Sequence, residues 1–351
     1  MQASYTKYIL NFKRPGGTSR GVLHTKESWF IKITDGAKTG FGECGVLRGL
    51  SADDRTGYEE KLAEVCASIN KGLDTLYHSC LEWPSIQFGL EQAFKDLEAE
   101  EHILFPSDFS AGTSGQPING LIWMGDEAFM KQQVSEKLEA GFSVLKMKIG
   151  AIGLEKELHI LKELRKSFSA DSLQLRVDAN GAFKADEVGS LLETLAQLQV
   201  HSIEQPIKAG QWMAMAQICA NAAIPVALDE ELIGLFNEAE RQEMLATIKP
   251  QYTILKPSFV GGFYGSENWI KLAEKYNAGW WATSALESNI GLNAIAQWNA
   301  TKQNNIPSGL GTGSLFTNNF ESPMRIENGE MRYFKNEGWN LNLLEEAFLN
   351  K

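Results

Sequence analysis

The sequence predicts an α/β fold in which a barrel of parallel strands is joined to a smaller α+β unit. From Asn119 onward, short apolar runs alternate with helical stretches, which is the rhythm of parallel βαβ units. Eight such runs can be placed, a number that suits a closed barrel. Before Asn119 the pattern differs: β-rich runs come first and amphipathic helices follow.

Taken in order, residues 5–12 and 28–34 read as antiparallel strands, with Pro15, Gly16 and Gly17 as turn residues between them. After Gly40, Gly42 and Gly45, residues 55–70 and 88–102 read as helices, the first with Leu62, Val65 and Ile69 on one stripe. Gly112, Gly115 and Pro117 punctuate a polar stretch, so a boundary is expected near 114–117. Barrel strands are expected at 120–124, 144–149, 173–178, 202–205, 226–229, 253–256, 280–284 and 308–311. Helices are expected at 126–140, 154–167, 185–198, 212–221, 236–246, 267–276 and 288–301. After Thr317 no eighth barrel helix of full length is visible. The expected units are therefore 1–116, 117–317 for the barrel, and 318–351 returning to the first unit.

Composition narrows the function classes. A chain of 351 residues, 43% hydrophobic and 22% charged, is globular, and no low-complexity tract or charge block interrupts it. A formal charge of −11 argues against nucleic acid or an anionic membrane as partner. It leaves room for a small anionic molecule met by local lysines and a metal. No window of about eighteen apolar residues occurs, and the start, MQASYTKYILNFKRPGG, lacks an apolar core and cleavage site. A soluble, cytoplasmic protein is expected. Cys44, Cys66, Cys80 and Cys219 are dispersed and read as buried free thiols. The histidines lack the spacing of a zinc site. Oligomeric state is not legible.

Charged residues at the ends of apolar barrel strands need an explanation beyond composition. Lys148 is followed after 30 positions by Asp178, after 26 more by Glu204, after 25 by Asp229 and after 27 by Lys256, about one βα unit each time. Equivalent strand ends converge at one mouth of a barrel. Three carboxylates brought together there repel one another unless a hard cation compensates them. Oxygen-only ligation suits Mg2+, with Mn2+ as substitute, better than zinc. Three separate helix caps would be the alternative; it accounts for one such residue more readily than for three in register. Lys146 and Lys148 lie two apart on a strand and so share its inward side. Their mutual repulsion is expected to favour a neutral amine able to act as base, with Lys148 nearer the strand end. Lys256 would approach from the opposite side. The combination describes removal of a proton beside a carboxylate, with metal and lysine stabilising the anion.

On Lys146-Met147-Lys148, Val177-Asp178-Ala179-Asn180, Ile203-Glu204-Gln205-Pro206, Ala227-Leu228-Asp229-Glu230, Leu255-Lys256-Pro257 and Ser284-Ala285-Leu286-Glu287-Ser288, the chain resembles the enolase superfamily, in the muconate lactonizing enzyme subgroup. The resemblance covers nearly the whole chain. It implies a modified TIM barrel, (β/α)7β, under an α+β capping domain built from both chain ends. It implies Asp178, Glu204 and Asp229 as metal ligands, Lys148 as base, Lys256 facing it, and Lys146 tuning or contacting the substrate carboxylate. Asn180 and Glu230, inside the same motifs, would stand beside the ligands. The implied reaction is syn elimination of water from a cyclohexadiene carboxylate bearing a succinyl arm, in menaquinone biosynthesis.

Specificity in this family is implied to come from capping loops and late barrel loops, here residues 20–23, 47–50, 284–288 and 309–313. Ser284, Glu287, Gly311 and Thr312 become candidate substrate contacts, and Arg48 a candidate partner for a succinyl carboxylate. Gly309-Leu310-Gly311-Thr312-Gly313 lacks the spacing of a phosphate loop; it reads either as close backbone approach to substrate or as a plain turn. Dipeptide epimerases and N-acylamino acid racemases share the core motifs and use both lysines as bases. The Ser284–Ser288 segment, and the lack of an Asp-x-Asp signature at the last strand, tilt the reading toward dehydration. A noncatalytic binding protein on an inherited barrel is the remaining class.

Overall fold

The computed structural model describes residues 1–18, 21–150 and 153–349. Strand β1 (Gln2–Thr18) pairs antiparallel with β2 (Gly21–Asp35), which pairs antiparallel with β3 (Lys38–Gly45). Both faces of this sheet are covered, which is why Trp29-Phe30-Ile31 has no polar alternation. Trp29, Ile31 and Ile33 pack on helices Tyr58–Ala67 and Pro84–Glu98, while Phe30 points the other way, toward Phe320 and Leu344 of the C-terminal segment.

One expectation changes here. The strand runs on through Pro15, Gly16 and Gly17, with a register slip between Asn11 and Gly16, so those residues are not the hairpin turn. Gly40 and Gly42 lie inside β3, against the helix Pro84–Glu98. A Cβ on Gly42 would sit 1.9 Å from Gly89 O, and one on Gly40 would sit 2.3 Å from Ala93 O.

Strand β4 (Gln116–Pro117) leads into a parallel sheet of seven strands: β5 (Gly120–Ile122), β6 (Val144–Lys148), β7 (Gln174–Asp178), β8 (Ser202–Glu204), β9 (Val226–Leu228), β10 (Tyr252–Leu255) and β11 (Gly279–Ala282), neighbours in that order. The ring is closed by an eighth segment reduced to bridges, Ser308 with Ile118 and Gly309 with Thr283. Asn119 N donates to Ser308 O and Gly309 N to Ala282 O, both at 2.9 Å. Connecting helices span Glu127–Glu139, Leu154–Ser167, Val188–Gln197, Trp212–Asn221, Glu238–Ile248, Gly262–Lys275 and Asn289–Ala300. This is a (β/α)7β barrel, a modified TIM barrel, with a separate antiparallel capping sheet.

The chain then forms the hairpin β12 (Met324–Glu327) and β13 (Glu330–Tyr333), which pairs with β4, and a helix, Asn342–Leu349. That helix lies on the N-terminal sheet: Leu344 joins the Phe30, Phe41 and Phe320 cluster, and Thr6 Oγ1 donates to Ala347 O at 2.8 Å. Cys44, Cys66, Cys80 and Cys219 are buried and free. Among the described residues no helix is long and apolar enough to cross a membrane.

Candidate active site

Alternation along β6, β7 and β8 sends every second side chain into the barrel, and parallel register sets the last inward residues side by side. Lys148 stands opposite Asp178, and Asp178 opposite Glu204. Asp229 follows β9 and Lys256 follows β10. Strands β6 and β10 are four steps apart in a ring of eight, so Lys148 and Lys256 face each other across the mouth. Lys146 Nζ donates to Glu204 Oε2 at 2.7 Å and Asp178 Oδ2 at 3.1 Å; Lys148 Nζ donates to Asp178 Oδ2 at 2.9 Å and Asn180 Oδ1 at 2.6 Å. Lys256 Nζ donates to Asp229 Oδ2.

The electrostatics of the cluster follow from its pairing. Asp178 Oδ2 sits between the two β6 lysines and offsets their repulsion. Burial works to lower the Lys146 pKa, yet Asp178 and Glu204 outweigh it and raise the group above the ordinary lysine range. Lys146 is thus a bound ammonium here, not the neutral amine. Asp178 is also buried, but Lys146 and Lys148 hold it below the usual carboxylate range. Burial and the Asp178 charge push Glu204 up to about 7, against the pull of Lys146. Burial likewise raises Asp229, against Lys256.

Glu204 is therefore a buried carboxylate short of positive charge, and its Oε1 has no hydrogen-bond partner among the described residues. As they stand, with oxygens turned to ammonium groups, no three acidic, imidazole or thiol side chains among the described residues are grouped to share one ion. The orphaned oxygen, the all-oxygen donor set and the crowding of Asp178, Glu204 and Asp229 nonetheless fit a hard divalent cation.

Two amide side chains order this cluster. Asn180, at φ 43°, accepts from Lys148 and donates through Nδ2 to Glu230 Oε1 at 2.9 Å, which fixes which way its amide faces. Gln205, at φ 40°, had no role assigned from sequence beyond its motif. Its Oε1 accepts from Asp229 N at 3.3 Å and Glu231 N at 3.2 Å, while Nε2 donates to Ile207 O and Glu231 Oε2, both at 3.0 Å. Gln205 thereby ties the end of β8 to the end of β9. A neutral amide carries no sequence signal for such a clasp.

A cavity of about 570 Å³ opens over the mouth, lined by Lys146, Lys148, Asp178, Asn180 and Lys256, and on its far wall by Ser284, Gly311 and Thr312. Ser284 Oγ donates to Glu287 Oε2 at 2.5 Å and accepts from Thr312 Oγ1 at 2.8 Å and Glu287 N at 3.2 Å, so its hydrogen-bonding capacity is filled within the protein. Glu287 is corrected: it is fully buried, does not line the cavity, and instead holds Ser284 and, at 2.6 Å, Ser258. Arg48 lines the cavity but is already paired with Glu27 and Asp54. The Gly309 glycine answers to Thr283, whose Oγ1 would lie 2.7 Å from a Cβ, whereas Gly311 has ordinary room for one. Of residues 20–23, Arg20 lies outside the described residues, while Val22 and Leu23 line the cavity. The apolar part of the lining, Phe12, Leu47, Trp123, Leu286 and Leu315, was only partly foreseen, because isolated apolar residues carry no signal of a pocket.

With this geometry in place, comparison with known proteins assigns the class. A family profile described as "Enolase C-terminal domain-like" matches residues 129–347, and the chain belongs to the enolase superfamily of enzymes. It is similar to the o-succinylbenzoate synthase of Desulfotalea psychrophila, 44% identical over 94% of this chain and 98% of that one. The crystal structure of MenC from the same organism superposes with a TM-score of 0.83, at 39% identity, covering 95% of this chain and 99% of that one. An L-Ala-D/L-amino acid epimerase of Maribacter sp. is more distant, 25% identical over 85% of this chain and 86% of its own.

Proposed function

We propose that this protein catalyses the divalent-metal-dependent syn dehydration of 2-succinyl-6-hydroxy-2,4-cyclohexadiene-1-carboxylate to o-succinylbenzoate, a carbon–oxygen lyase reaction of menaquinone biosynthesis. The observation that carries the reading is the placement of Lys148 and Lys256 on opposite walls of one cavity, beside the buried cluster of Asp178, Glu204 and Asp229. Asp178, Glu204 and Asp229 would hold Mg2+, with Mn2+ as substitute. When bound, the cation supplies fixed positive charge against the substrate carboxylate.

The residues do the rest. Lys148, as the free amine, takes the proton from the ring carbon that bears the carboxylate, and the electron pair moves into the carboxylate as an enediolate. The pair then returns to the ring as the neighbouring carbon–oxygen bond breaks. The ammonium formed on Lys148 gives its proton to the departing hydroxyl on the same face, releasing water and an aromatic ring. Lys256 remains an ammonium and lays positive charge over the intermediate. Asn180 aims Lys148, and Glu230 aims Asn180.

The opposed lysines also suit a second reading, two-base epimerisation or racemisation of a dipeptide or N-acylamino acid. The assay separates the two: purified protein with Mg2+ is offered the cyclohexadiene carboxylate and, separately, dipeptides and N-succinylamino acids in deuterated water. Aromatic product that stops on chelation and returns with Mg2+ or Mn2+ supports dehydration. Fast α-deuterium exchange with inversion, and no aromatic product, overturns it.

A further inference from the structure

The carboxylate of Glu43, near the end of β3, crosses the seam between the capping sheet and the barrel. Its Oε1 accepts from Ser28 Oγ at 2.8 Å and Ser288 N at 3.0 Å; its Oε2 accepts from Ser288 Oγ at 2.6 Å and Gly291 N at 3.0 Å. Lys26 Nζ lies 3.5 Å from Oε1 and donates to Ser28 Oγ at 3.0 Å. Lys26 is 3% exposed, and Ser28, Glu43 and Ser288 are fully buried. Glu43 thus occupies the first turn of helix Asn289–Ala300, where backbone N–H groups lack intrahelical partners and negative charge is favoured. The fit is close on both sides: a Cβ on Gly291 would lie 2.9 Å from Glu43 Oε2, and one on Gly45 would lie 2.9 Å from Lys26 Nζ.

A buried ion pair is weak as a source of stability, because desolvation offsets its attraction; its better-attested use is to fix register. The elements registered here both line the cavity. A few residues after Glu43 come Leu47, Arg48 and Leu50, the cap's share of the lining, and just before Ser288 come Ser284, Ala285 and Leu286, part of the barrel's share. We propose that Glu43, with Lys26, is the positioning residue that sets these two parts of the lining against each other and so fixes the fit of the substrate's arm, away from the reacting carbon. The naming of the arm rests on the proposed dehydration. The clamp itself does not.

Lys148, Lys256 and the metal carboxylates stand on other strands, so loosening the clamp weakens ground-state fit and spares proton transfer. In the intact enzyme with Mg2+, Glu43→Gln is expected to raise KM about tenfold, as removal of a charged partner from buried donors implies, with kcat within about threefold of wild type. Ser288→Ala removes one clamp contact from the barrel side and carries the test if Glu43→Gln does not fold. Glu91→Gln is the control: Glu91 also joins cap to barrel, through Phe263 N at 2.6 Å and Tyr264 N at 3.1 Å, but lines no part of the cavity. It is expected to leave KM unchanged.

An unchanged KM in folded Glu43→Gln and Ser288→Ala overturns the proposal, as does an equal rise in Glu91→Gln, which would mean general loosening. A fall in kcat at constant KM also overturns it. If wild type yields no aromatic product but exchanges the α-proton of N-succinylamino acids, the dehydration reading fails, and the clamp is judged on KM for exchange in the same variants.

Discussion

Replacing Gln205 by Ala should weaken binding of the proposed metal without touching a proposed ligand. The side chain is fully buried and makes four hydrogen bonds: two accepted from Asp229 N and Glu231 N, two donated to Ile207 O and Glu231 Oε2. The accepted pair are long, at 3.3 and 3.2 Å, and count for less. Taking about 1 kcal/mol for each lost bond, more for the carboxylate left short of a donor, and a further term for the space vacated, the loss of stability is about 3–5 kcal/mol. Asp229 N is one of the groups released, so the backbone of this proposed ligand loses its tie to the Gln205 side chain at the end of the strand bearing Glu204. Groups that orient a ligand in this way typically account for about ten- to a hundredfold in metal affinity. Gln205→Glu keeps the shape but sets a second carboxylate against Glu231, so it should be no better. Urea unfolding gives the stability change, and Mg2+ titration by calorimetry, well below the melting temperature, gives the affinity. A folded Gln205→Ala protein that binds Mg2+ as tightly as wild type would refute the clasp.

Two further outcomes follow from contacts of helix Pro84–Glu98. Burial pushes Glu91 up to about 8, despite its two backbone donors, above an ordinary value of 4.5. Between those values the native state holds a proton that the unfolded chain has lost, so this group's contribution to stability falls as pH rises from about 4.5 to about 8. Glu91→Gln should flatten that part of the pH–stability curve; a slope identical to wild type would contradict it. Gly42→Ala should destabilise by about 3 kcal/mol or more, because its Cβ would lie 1.9 Å from the backbone oxygen of Gly89, where no side chain can move aside. A melting temperature unchanged from wild type would show that the helix on β3 shifts freely.

Lys148, Asp178, Glu204, Asp229 and Lys256 were legible because a charge ending an apolar strand is a local anomaly, and its recurrence about once per βα unit shows that strand ends share a mouth. Helices Leu154–Ser167 and Trp212–Asn221 were legible to the residue, with apolar stripes and clear boundaries. Lys26 and Glu43 were not legible. A charged residue on a strand ordinarily faces solvent, and Glu43 is instead covered by Ser288 and Gly291, which arrive from about 245 positions away. The start of helix Gly262–Lys275 was missed for the same kind of reason: Gly261 and Gly262 read as breakers, yet Glu91 from the cap satisfies that first turn. The last barrel strand, expected at residues 308–311, forms only bridges, Ser308 with Ile118 and Gly309 with Thr283.

The role of Lys148 is tested most directly by single-turnover kinetics of Lys148→Ala beside Lys256→Ala, each with Mg2+ and the cyclohexadiene carboxylate, after Mg2+ binding and melting have shown both to be folded. The mechanism predicts no aromatic product and no exchange of the carbon-bound proton with Lys148→Ala, and slowed but measurable dehydration with Lys256→Ala. Dehydration by Lys148→Ala at a rate near wild type would contradict it.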